Sequence, residues 1–87
     1  MTLTKSVVIV WTMIKSDLPG DCMPTLLQKL QAMTAAGQTD GKGYWDSPQI
    51  SEFHFTDQAA ADEFVFYLTN VFPYSAYVDS TNINTLA

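Results

Sequence analysis

The chain has 87 residues, with nine acidic side chains against four lysines and no arginine, for a net charge of −5. That length makes one domain, expected over residues 1–87, and a 47% hydrophobic, 13% aromatic composition belongs to a globular chain rather than a disordered one. The charge argues against nucleic acid and against anionic membrane surfaces as partners, because Lys5, Lys15, Lys29 and Lys42 are scattered and no guanidinium is present to grip phosphate.

Residues 7–14, VVIVWTMI, are β-branched and aromatic and read as a strand. Val7, Ile9, Trp11 and Met13 point one way, and Val8, Val10, Thr12 and Ile14 the other. Both sets are apolar or nearly so, which places the strand inside a sheet. The run is too short to cross a bilayer, and no export signal precedes it.

Residues 15–22 are a loop turned by Pro19 and Gly20. Asp17, Asp21 and Cys22 lack the alternating oxygen ligands of a calcium loop and read as solvated. Cys22 is the only cysteine. An internal disulfide or a thiolate zinc site is therefore ruled out, and a reducing, cytoplasmic home is expected.

Pro24 suits the first turn of a helix, where its missing N–H costs nothing. Met23, Leu26, Leu27, Leu30 and Met33 then form an apolar stripe that Gly37 stops. Residues 37–43, GQTDGKG, read as a flexible surface loop. Their Gly41-Lys42-Gly43 lacks the upstream glycine and the following Ser or Thr of a phosphate loop. Tyr44 and Trp45 open a short strand, and Pro48 makes it an edge.

Residues 50–56, ISEFHFT, alternate. Ser51, Phe53 and Phe55 share one face, and Ile50, Glu52, His54 and Thr56 the other. Thr56 or Asp57 caps a second helix whose stripe is Ala60, Ala61, Phe64, Leu68 and Val71. Phe66 faces outward and Pro73 ends the helix. Residues 74–79, YSAYVD, read as the last strand, and residues 80–87 as a polar C-terminal tail.

The order strand, helix, strand, strand, helix, strand gives an α+β chain. It resembles the ferredoxin-like βαββαβ fold, which implies a four-stranded antiparallel sheet with two helices on one face and strands one and three in the centre. Phe53, Phe55, Ala76 and Val78 then face the helices. Ile50, Glu52, His54 and Tyr77 fall on the uncovered side with one apolar set from strand one, joined by Tyr44 or Trp45. An apolar patch of that kind calls for a cover.

In this respect the chain resembles the dimeric α+β barrel superfamily, which implies a homodimer packed sheet to sheet and a small apolar ligand between sheet and helices. Trp11, Trp45, His54 and Tyr77 are the candidate ligand or interface residues. His54, the single histidine, lies two residues from Glu52 on one strand face, about 7 Å away, and the pair is a candidate general base. No cofactor is implied. Two readings follow: an interaction or regulatory domain that homodimerises through its sheet, or a small-molecule-binding protein or cofactor-independent enzyme with a cleft around His54.

Overall fold

The computed structural model describes residues 1–86. Four strands and two helices follow one another as β1 (Lys5–Trp11), α1 (Cys22–Ala35), β2 (Thr39–Ser47), β3 (Ile50–Phe55), α2 (Gln58–Asn70) and β4 (Val78–Thr85). The strands form one antiparallel sheet in the order β2-β3-β1-β4. β1 and β3 are therefore central, as their apolar patterns require, and the α+β architecture is compatible with a ferredoxin-like arrangement.

Alternation decides which side of each strand is buried. Val7, Ile9 and Trp11 of β1 are almost wholly buried beneath the helices, as are Phe53 and Phe55 of β3. Leu26, Leu30 and Met33 of α1 meet them from above, together with Ala60, Ala61, Phe64 and Leu68 of α2. Phe64 packs tilted against both Phe53 and Phe55, with ring centroids 5.4 and 5.0 Å apart. The indole of Trp11 donates its N–H to Ser51 Oγ at 2.9 Å, so the polar atoms of two buried side chains satisfy each other.

Local chemistry sets the helix ends. Asp57 caps α2, its Oδ1 accepting from Ala60 N–H at 2.8 Å. Gly37 has φ +73° and closes α1, a left-handed conformation that suits glycine. α2 stops at Asn70, so Val71 leaves the stripe and is 60% exposed, contrary to its expected place on the buried face.

Three expectations need correction. The first strand ends at Trp11, not Ile14. There Thr12 N–H turns to the Tyr77 carbonyl and Lys15 N–H to that of Pro48. The segment 37–43 is not a loop throughout, because β2 begins at Thr39 and runs nine residues. At Gly43 a Cβ would come within 3.1 Å of the Phe53 ring, a tight contact, and Gly41 (φ +72°) lies where a Cβ would meet Thr34 Oγ1 at 2.6 Å. These glycines mark close approach rather than flexibility.

The last strand is Val78–Thr85, so residues 80–85 are sheet and not tail. Residues 75–77 form a 3-10 turn instead. Tyr74 and Tyr77, three apart, pack against each other and extend a chain of rings through Phe72 to Trp11 and Tyr67. A three-residue repeat fits that turn, whereas a strand would have put the two rings on opposite faces. Ala76, expected on the helix side of a strand, is an exposed turn residue.

Trp11→Phe tests the buried polar pair. It leaves the Ser51 hydroxyl without its donor, and equilibrium urea unfolding should show a loss of about 1–3 kcal/mol.

Candidate functional site

The sheet face away from the helices carries Ser6, Val8 and Val10 from β1 and, directly opposite them, His54, Glu52 and Ile50 from β3. On the other side of β1 stand Asn84, Asn82 and Ser80. Tyr44 of β2 pairs with Glu52 and completes the face. Val8, Val10 and Ile50 are half-buried and form one apolar row, while the β4 row is polar and exposed. The uncovered side is thus a mixed surface with a narrow apolar centre.

At one end of that row the polar groups are stacked. The Tyr44 ring lies on the His54 imidazole, with centroids 4.5 Å apart and planes 19° from parallel. His54 Nε2 is 3.6 Å from Glu52 Oε1, too long for a hydrogen bond. It is buried with no hydrogen-bond partner, and so is Oγ of Ser6, the residue paired with His54 across the strands. Tyr44 in turn donates its hydroxyl to Asp40 Oδ2 at 2.9 Å. That hydrogen bond, with smaller contributions from desolvation and from the charges of Asp40 and Glu52, raises the Tyr44 phenol above its ordinary value.

The expected site residues do not converge. His54 and Glu52 are on the uncovered face, as read from the alternation of β3. Trp11 is 1% exposed in the core. Tyr77 belongs to the turn before β4 and not to the uncovered face. Trp45 pairs with Ser51 and so looks toward the helices. Cys22 is buried at the start of α1, and desolvation raises its thiol pKa, so little thiolate is present at neutral pH.

Trp45 does line a groove of about 320 Å³ between α1 and β2, with Lys15, Met23, Leu27, Gly43 and Phe53. Lys15 Nζ stands 4.9 Å from the centre of the indole ring. Sequence reading missed this groove because it treated Gly43 as loop. His54 is not among its walls. Among the described residues no helix is long and apolar enough to cross a membrane.

No family model, curated protein or solved structure matches this chain. The reading of its function therefore rests on the geometry of the uncovered face and of the groove.

The Tyr44–Asp40 bond gives a direct titration test. Asp40→Asn removes the acceptor charge and should bring the Tyr44 phenol down toward the ordinary tyrosine range, seen by absorbance at 295 nm. Because the folded value is raised, the bond stabilises the fold below the ordinary tyrosine range. That contribution is lost as pH rises through the raised value.

Proposed function

We propose that the chain is a small interaction domain of ferredoxin-like type that pairs with a second copy through the uncovered face of its sheet, in the manner of the dimeric α+β barrels. The element order and the central places of β1 and β3 support the finer fold assignment. The observation that carries the functional reading is the row Val8, Val10 and Ile50 on a face that neither helix reaches. A two-fold axis through that row sets apolar side chains against their copies and leaves Ser80, Asn82, Asn84, Glu52 and Tyr44 as a polar rim. An apolar centre inside a polar rim is the usual anatomy of a protein interface.

The groove favours a second reading, that of a small-molecule-binding protein. Its apolar walls and the Lys15 ammonium at the indole suit a short aliphatic carboxylate. Under this reading the ligand lies beside Trp45, on the opposite side of the sheet from His54.

The two readings separate by experiment. Val10→Asp puts a charge in the centre of the apolar row and should abolish face-to-face association in sedimentation equilibrium, with the far-UV circular dichroism unchanged. Octanoate should shift Trp45 emission in a titration if the groove binds carboxylates, and Lys15→Gln should weaken that binding roughly tenfold. An octanoate response that survives Trp45→Phe would place the ligand elsewhere.

A further inference from the structure

The sheet has two edges, and they are built differently. β2 is irregular: its pairing with β3 shifts register twice, between Thr39 and Gly43 and between Trp45 and Ser47. It carries Asp40, Lys42 and Asp46, and Pro48 follows it at once. Bulges, charges and a neighbouring proline are the devices that stop an edge from pairing with another chain. β4 has almost none of them. Its eight residues, VDSTNINT, include no lysine, arginine, proline or glycine, and one charge, Asp79. The single shift in its pairing with β1 falls at the Trp11 end, so residues 80–85 run straight.

The hydrogen-bond phase of that edge can be read. Leu86 N–H donates to the Thr4 carbonyl at 2.9 Å, one step beyond the pair Lys5 and Thr85. In an antiparallel pair the bonded positions alternate. The even residues Ser80, Asn82 and Asn84 therefore turn their backbone groups to β1. Thr81, Ile83 and Thr85 turn theirs outward, where no strand meets them.

We infer that β4 is a second pairing surface and that its occupant is β4 of another copy, antiparallel about a two-fold axis through Asn82. In that register Thr81 exchanges both backbone hydrogen bonds with the partner's Ile83, and Asp79 stands opposite the partner's Thr85. All the outward groups of the straight segment are then used.

Charge complementarity selects a second copy and fixes the register. Lys5 Nζ already sits 2.9 Å from Thr85 Oγ1. Bringing the partner's Asp79 opposite Thr85 delivers a carboxylate beside that ammonium, twice over by symmetry, while the two Asp79 side chains stay apart. Thr81, Ile83 and Thr85 lie two apart on the helix side of the strand, and Asp79, the extra residue at the register shift, adjoins that straight run. The helices of both copies thus stay on one side of a continuous eight-stranded sheet.

This axis is perpendicular to the sheet, whereas the face-to-face axis proposed above lies parallel to it. The two can intersect, and together they close a tetramer with no free β4 edge. The edge does not depend on the face: either contact forms without the other.

Thr81→Pro removes an outward N–H and no bond to β1, so the fold tolerates it at an edge. Sedimentation equilibrium should show a tetramer for the wild type, a dimer for Thr81→Pro, a dimer for Val10→Asp and a monomer for the double variant. The lost bonds, one in each copy, should weaken edge pairing roughly 10–100-fold. Asp79→Lys should weaken it as well, and adding Lys5→Glu should restore it. The amides of Thr81, Ile83 and Thr85 should exchange more slowly as protein concentration rises. A dimer lost on Val10→Asp and untouched by Thr81→Pro overturns the edge and keeps the face. A dimer lost on Thr81→Pro and untouched by Val10→Asp keeps the edge and overturns the face. A wild type that stays monomeric, with exchange independent of concentration, overturns both.

Discussion

Successive residues of a strand point to opposite sides of its sheet, and β1 lies at the centre of this one with apolar residues on both. Burying Val7, Ile9 and Trp11 against the helices commits Ser6, Val8 and Val10 to the other side, because a slip of one residue would exchange the two sets. The Trp11–Ser51 bond holds the choice, since the opposite register would leave the indole N–H without its buried acceptor. From that choice follow the register of β3 and the place of His54 and Glu52. The narrow apolar row on the uncovered face follows from it too.

Much of the architecture was legible because its signals were periodic. The stripe through Leu26, Leu30 and Met33 and the alternation Ser51, Phe53, Phe55 each have one reading, and both stand. What was not legible was carried by residues whose meaning depends on neighbours distant in sequence. Gly41 and Gly43 look like loop until Thr34 and the Phe53 ring are seen pressed against them. Tyr74 and Tyr77 suit a strand until Phe72 gathers them into a turn. The polar string STNINT carries little apolar signal because β4 is an edge strand with one face in water. The alternation of β3 put His54 and Glu52 on one face of the sheet, but the groove beside Trp45 required the length of β2.

The two sides of the molecule offer different chemistry. The helix side of the β2 edge is concave and apolar with one ammonium group. The uncovered face is a mixed plane with its charges at one end. Tyr44 separates these regions: it is on the uncovered face next to Trp45, which looks the other way. A molecule using both sides would do so through one edge strand two residues wide at that point.

Pairing of β1 with β4 joins the first strand to the last, while β2 and β3 are joined by a turn at Pro48 and Gln49. The hairpin closes locally, so it can form early. The β1–β4 ladder must wait for nearly the whole chain to be gathered, and contacts that distant in sequence slow folding. Until they form, β1, the most apolar strand, has a neighbour on one side at most. A nascent or stressed chain is therefore most prone to mispairing along the β1 edge that β4 later covers, and the rate at which β4 docks sets how long that hazard lasts.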